Sequence, residues 1–249
     1  MKKKRIGIIA WKVGPNSYGI TVPYYNFLSQ FGNVVILDNK SIQNIDLLVL
    51  PGGPDVDPFR YGKVPSLLTG KPDPHLEFFD KILLPKYIKK EVPIFGICRG
   101  HQTLAVHMGA KLIQHMYHPT NHESCRNETI HEVKMVLDKK EFRIPPFMEG
   151  LKNQFVNSMH HQVVSSNNLP DDILPVYRFE NDVKKGPKYK EEIEALYFPT
   201  INSISVQWHP EEIWDNFSIE AITYLLDSDN KSTQEPITVE AKKVITAEK

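Results

Sequence analysis

Pro93-Ile94-Phe95-Gly96-Ile97-Cys98-Arg99-Gly100-His101-Gln102 joins a short apolar run to a helical pattern through a single thiol. A strand that stops at Cys98 and a helix that starts directly after it form one β-α step of an open α/β sheet, with the cysteine on the connecting turn. The glycines two residues to either side carry no Cβ, so the chain can bend sharply and a substrate backbone can approach closely. The sulfur is expected to project from the turn over the first turn of the following helix. There, unpaired N–H groups and the positive end of the dipole favour thiolate. A free cysteine at a strand end is more often a small core residue. The flanking glycines and the partners described below favour a nucleophile instead.

Outward from this turn, β-branched and leucine-rich runs recur at 5–10, 33–37, 46–50 and 93–97, with helical patterns between several of them, as a parallel sheet requires. Val22, Tyr25, Leu28 and Phe31 recur at helical spacing on a segment that Pro23 can start. Asp73 can cap a helix with Pro74 in its first turn and Leu76, Phe79, Leu83 and Tyr87 as its buried stripe. Pro85 falls inside that stripe and predicts a kink or a break near Leu84. After Cys98, a helix through Leu104, Ala105 and Met108 can end at Gly109, and 111–114 resembles a strand. Strands at 131–137, 173–179, 193–198 and 203–207 follow with few helices between them, which predicts a mixed sheet edge. A helix over 213–226 is expected to turn Trp214, Phe217, Ala221 and Leu225 inward, and 227–249 is expected to be a mobile tail.

A chain of 249 residues with 41% hydrophobic content suffices for one substantial core, and a single domain over 1–226 is expected. Thirty basic residues balance thirty acidic ones, so the charge gives no reason to expect a nucleic-acid partner; a small molecule is expected instead. No apolar stretch approaches a membrane span, and the start runs straight into a strand pattern without a signal-peptide core, so a cytoplasmic location is expected. Cys98 and Cys125 are the two cysteines, which fits a reducing compartment better than a disulfide framework.

Two further segments carry chemistry. The strand pattern Ser203-Ile204-Ser205-Val206-Gln207 leads into Trp208-His209-Pro210-Glu211, where a histidine and a carboxylate lie two positions apart. In an extended segment these side chains share a face, and Pro210 favours such a conformation, so Glu211 is expected to orient the imidazole. A histidine so held can take a thiol proton and later give it to a leaving amine. The buried run Leu47-Leu48-Val49-Leu50 ends in Pro51-Gly52-Gly53-Pro54, a turn whose exposed N–H groups can face a developing oxyanion. Two such donors supply on the order of 3 kcal/mol of transition-state stabilisation.

PGGPDVDPFRYG (51–62), GICRGHQ (96–102), VNSMHHQ (156–162) and SVQWHPEE (205–212), in this order, resemble the class I glutamine amidotransferase-like superfamily, and within it the gamma-glutamyl hydrolase and gamma-glutamyl-GABA hydrolase branch. The resemblance implies a flavodoxin-like, doubly wound, mostly parallel sheet with a mixed edge. It implies Cys98 as nucleophile, His209 as general base and acid, and Glu211 as the residue that orients it. It also implies the backbone N–H groups of Gly53 and Arg99 as oxyanion hole, with Gly52, Gln102 and His160 in the glutamyl pocket. The implied reaction is hydrolysis of a gamma-glutamyl amide through a thioester, with no metal and no cofactor. The alternatives are a glutaminase subunit that supplies ammonia to a separate synthetase, and an inactive binding module on the same fold.

His115, His118, His122 and His131 invite a zinc reading, but their spacing lacks a compact ligand pair with a third fixed donor, and metal binding is not expected. Tyr61, Trp208 and Trp214 are expected in the core or pocket wall rather than as a stacking platform. Two departures from the resemblance, a lysine-rich insertion at 181–192 and a short connection at 31–33, bear on substrate identity rather than on the triad.

Overall fold

The computed structural model describes residues 3–14, 17–116, 131–137, 144–167, 169–180 and 191–227. Cys125, His118, His122, most of the lysine-rich insertion and the tail beyond Asp227 lie outside these residues. In chain order the elements are β1 (Arg5–Ile9), β2 (Trp11–Gly14), β3 (Ser17–Gly19), α1 (Val22–Ser29), β4 (Asn33–Leu37) and β5 (Leu47–Leu50). They continue with α2 (Pro74–Phe78), a π-helical turn (Phe79–Leu83), α3 (Leu84–Lys89), β6 (Ile94–Ile97), α4 (Arg99–His107), β7 (Leu112–Ile113) and β8 (His131–Met135). The remainder is β9 (Gln154–Val156), β10 (Val163–Ser165), β11 (Leu174–Glu180), β12 (Glu191–Phe198), β13 (Ser203–Val206), α5 (Pro210–Ile213) and α6 (Asn216–Leu226).

The apolar runs pair in parallel in the order β4-β1-β5-β6-β13. Counted along the chain these are strands 2-1-3-4-5, the flavodoxin-like order expected above. Ile6, Ile8, Leu47, Leu48, Val49, Ile94, Phe95 and Ile97 are wholly buried, because helices cover both faces of such a sheet. The second half adds antiparallel β12, β11, β8 and β9 beyond β13, with β10 and β7 paired off β12, so the mixed edge is present. Strand ends in α/β sheets of this order converge at a crevice outside their carboxyl ends. The turns after β1, β5, β6 and β13 all face it.

Several details differ from the sequence reading. In α1 the buried face is Tyr24, Phe27 and Leu28, whereas Val22 and Tyr25 are exposed. The apolar spacing marks the helix but misplaces its face, since a tyrosine ring can serve either side. The irregularity expected near Leu84 takes the form of a change of helix type: the π-helical turn Phe79–Leu83 ends there, and α3 starts with Pro85 in its first turn. An i→i+5 turn re-routes the backbone bonds that a proline forfeits, and Leu76, Phe79, Leu83 and Tyr87 all stay buried. The expected helix over 213–226 is two helices. Trp214 sits between them at φ 56°, half-exposed, with its edge toward Phe27, while Phe217, Ala221 and Leu225 point inward as expected. The hairpin of β2 and β3 and the short strands β9 and β10 have too few residues to show a period. Glu191 and Glu192 belong to β12 rather than to the insertion.

A buried charge network fastens the crevice to the helix layer. Arg99 bridges Glu77 (2.9 Å) and Asp80 (2.8 Å), Arg60 bridges Asp80 (2.9 Å), and Thr103 donates to Asp80 at 3.1 Å. Glu77 also accepts the Asp57 N–H at 3.2 Å, so the turn after β5 and the start of α4 share one anchor. Removing one partner of such a network leaves the opposite charges buried and uncompensated, so Asp80→Ala is expected to lower the unfolding free energy by about 3–5 kcal/mol, read from urea denaturation. A second expectation concerns acid. His101 in α4 is wholly buried against Ser205 (Nδ1···Oγ 2.8 Å), and burial outweighs its hydrogen bonds, holding its pKa down at about 3 against an ordinary 6.5. The unfolded chain therefore binds the extra proton between those values. Stability is full above about pH 6.5 and falls as pH drops toward 3, and denaturation curves of a His101→Gln variant should show a shallower fall over that window.

Candidate active site

Cys98 sits at the junction of β6 and α4 with φ 51° and ψ −105°, a region that L-residues avoid. Its N–H donates to Val206 O at 2.8 Å, continuing the β6–β13 ladder by one bond before the chain turns. The glycines do not supply the positive φ; they supply proximity. A Cβ on Gly96 would sit 2.8 Å from Gly100 O, and one on Gly100 would collide with the Leu50 carbonyl. Helix α4 therefore lies hard against the ends of β5 and β6, and the strain falls on the cysteine between them. Cys98 is largely buried, yet it lines a cavity of about 270 Å³.

His209 follows β13. Its Nδ1 is 2.7 Å from Glu211 Oε1, and it lines the same cavity as Cys98. With Nδ1 engaged by the carboxylate, Nε2 is the ring nitrogen left for another partner. The backbone that achieves this is not the extended segment expected: Pro210–Ile213 is a helical turn, with His209 as its N-cap residue and Glu211 in its first turn. Burial disfavours the imidazolium, but the charges of Cys98 and Glu211 and their hydrogen bonds outweigh it and push His209 up to about 10. Asn157 holds the histidine's backbone at both ends, accepting its N–H at 2.9 Å and donating to its carbonyl at 3.1 Å. Trp208, fully buried, donates Nε1 to Asp215 at 2.9 Å, and Asp215 in turn caps α6.

The turn after β5 brings Gly52 and Gly53 to the same cavity. Among the described residues no acceptor takes the N–H of Gly53 or of Arg99, and Arg99 is the first residue of α4. The Arg99 guanidinium points into the buried network, so only its backbone is available to the cavity side. The Gly52 N–H is already committed, donating to the Tyr24 hydroxyl at 2.9 Å. A substrate at Gly52 would therefore meet its bare Cα, and a Cβ there would lie 2.8 Å from His209 Cε1.

Gln102 and His160 are placed differently from the pocket expected for them. Gln102 is buried and donates to Gln162 O (2.9 Å) and Gln207 Oε1 (3.2 Å). His160 is buried with Nε2 3.8 Å from Glu194 on β12. Neither lines the cavity beside Cys98, whose other walls are Trp11, Thr21, Tyr24, Met159 and Glu212. Among the described residues no group of three or more His, Cys, Asp or Glu is arranged to hold a metal ion. His115 instead faces His161 (3.2 Å), whose Nε2 meets Asp55 at 3.0 Å. Of the aromatic residues weighed above, Tyr61 and Trp208 are core and Trp214 is not. Sequence reasoning missed Tyr24 and Asn157. Asn157 lies inside the quoted VNSMHHQ segment, which is the signal that pointed near it.

The peptidase C26 family model matches residues 33–211. The chain is 27% identical over 210 residues to the glutamine amidotransferase-like protein YvdE of Lactococcus lactis subsp. lactis, covering 77% of this chain and 80% of that protein. It is 25% identical over 194 residues to the gamma-glutamyl-gamma-aminobutyrate hydrolase of Escherichia coli O157:H7, covering 74% and 70%. A crystal structure of a glutamine amidotransferase from Thermotoga maritima superposes with a TM-score of 0.52 at 20% identity, covering 95% of this chain and 88% of that one, a likeness of fold.

Proposed function

Because the chain belongs to the peptidase C26 family, within the class I glutamine amidotransferase-like superfamily, we propose that it hydrolyses a gamma-glutamyl amide through a thioester on Cys98. The observation that carries this reading is the cavity where Cys98, His209 and Glu211 meet beside two uncommitted backbone N–H groups. The sulfur attacks the gamma-carbonyl carbon. The oxygen takes up negative charge facing the N–H groups of Gly53 and Arg99. His209 gives its proton to the amide nitrogen, the C–N bond breaks, and the amine leaves. The neutral imidazole then takes a proton from water, the hydroxide attacks the thioester, and free glutamate departs as the thiol regains its proton. Glu211 holds the ring in the tautomer that serves both steps.

Release of ammonia from glutamine for a separate synthetase uses the same chemistry, and similarity to a glutamine amidotransferase-like protein keeps that reading beside the first. Turnover of glutamine compared with a panel of gamma-glutamyl amines separates them. Hydrolysis of the amines by the isolated chain is expected, and strong glutamine turnover that appears only with an added synthetase overturns the preference. Cys98→Ala is expected to abolish turnover with the fold retained, and His209→Asn to lower it by about a hundredfold or more, both measured on the preferred amide. Retained activity in Cys98→Ala removes the thioester from the mechanism.

A further inference from the structure

The cavity beside Cys98 has a buried floor and an open rim that differ in chemistry. Tyr24, Gly52, Cys98, His209 and Glu211 line the floor, whereas Trp11, Thr21, Met159 and Glu212 are at least partly exposed and line the rim beside Gly53. Those four come from separate segments: β2, the turn before α1, the stretch after β9, and α5. On the hydrolase reading above, which this inference takes as its premise, the acyl carbon meets the sulfur at the floor. The substituent of the leaving amine then leads out toward the rim.

Charge is unevenly placed around this cavity. Among the described residues, no lysine or arginine lines it. His209 is the cationic group of the lining, and Glu211 answers it at 2.7 Å. Glu212 adds a second carboxylate, on the same turn as His209, whose carbonyl accepts the Glu212 N–H at 3.2 Å. Lys12 follows Trp11 on β2, where strand alternation turns it to the opposite side, exposed. The Arg99 guanidinium is engaged by Glu77 and Asp80. The glutamyl head of any such substrate brings one ammonium and one carboxylate, which balance, so the far end of the leaving amine sets the net charge offered to the cavity. Apolar surface completes the rim: Met159 offers its thioether to an aliphatic stem, and the Trp11 ring, steadied by Tyr24 at 5.3 Å, attracts both hydrocarbon and cations.

We infer that the leaving amine is a diamine, whose aliphatic stem lies on Trp11 and Met159 and whose second, protonated amino group is held by Glu212. A terminal carboxylate in that place would face Glu212 instead, and repulsion discriminates between substrates as effectively as attraction does. Glu212 is thereby a specificity-determining residue.

Three gamma-glutamyl amides of matched length test this: those of diaminobutane, butylamine and gamma-aminobutyrate, which end in a cation, a methyl group and a carboxylate. For the diaminobutane amide kcat/KM is expected to exceed that for the aminobutyrate amide by about tenfold or more, with the butylamine amide between them. Glu212→Gln is expected to bring the two charged amides within about threefold of each other, and Glu212→Lys to invert their order. Equal rates, a preference for the carboxylate, or a ratio that Glu212→Lys leaves in place overturns the inference while the hydrolase reading survives. Should the lysine variant fail to fold, added salt decides on the parent chain, because it screens an exposed rim charge: a ratio that salt does not shrink overturns the inference equally. Alkylation needs no turnover. In a Cys125→Ser background, where one thiol remains, diaminobutane is expected to slow the reaction of Cys98 with iodoacetamide by about threefold at a concentration where gamma-aminobutyrate has no effect at equal ionic strength. Such protection in a chain that cleaves none of the three amides sinks the hydrolase reading and leaves the cation subsite standing; no protection in such a chain sinks both.

Discussion

The approach of α4 to the ends of β5 and β6 is the constraint on which the site depends. Contact between helix backbone and strand backbone at Gly96, Gly100 and Leu50 leaves no space for side-chain carbon. With the helix seated that closely, the residue between strand and helix has no ordinary conformation open to it, and Cys98 takes positive φ. The surrounding structure over-determines that geometry. One ladder bond to Val206 holds the strand side, and the ion pairs of Arg99 with Glu77 and Asp80 hold the helix side. The thiol is presented to the cavity because everything around it is fixed.

Charge plays two different parts in this molecule. Around Arg99 it is structural: two arginines and two carboxylates, largely shielded from solvent, bind the helix layer to the turn that carries Gly53. Around His209 it sets a protonation state, since the neighbouring sulfur and carboxylate overcome burial and favour the imidazolium. Elsewhere burial is the larger cause. Glu192 on β12 is pushed up to about 8 by burial and then by Glu194, so it is held protonated at neutral pH within the antiparallel half.

The parallel half of the fold was legible because its strands are short, continuous apolar runs, a pattern that leaves little choice. The turn at Cys98 was legible for the same reason, its two glycines standing where a strand stops. What escaped was whatever depends on faces and contacts across the chain. Tyr24 and Tyr25 are adjacent residues of one type, and only packing on the sheet selects which of them turns inward. His209 and Glu211 were paired on the premise of a strand, yet a helical turn brings them together. The pairing was legible in residue type and spacing; the backbone was not. Gln102 illustrates the converse: its position followed from resemblance, while its actual partners, Gln162 and Gln207, lie far along the chain.

The bond from Cys98 N–H to the Val206 carbonyl has a metric consequence. His209 and Glu211 ride on one short turn after β13, whereas the Cys98 sulfur rides at the end of the neighbouring strand, in register with it. The spacing of the two strand ends that carry them is thereby gauged by the lateral repeat of a hydrogen-bonded sheet, about 4.8 Å between chains. Trp11 and Met159 wall the cavity from other elements and take no part in that gauge.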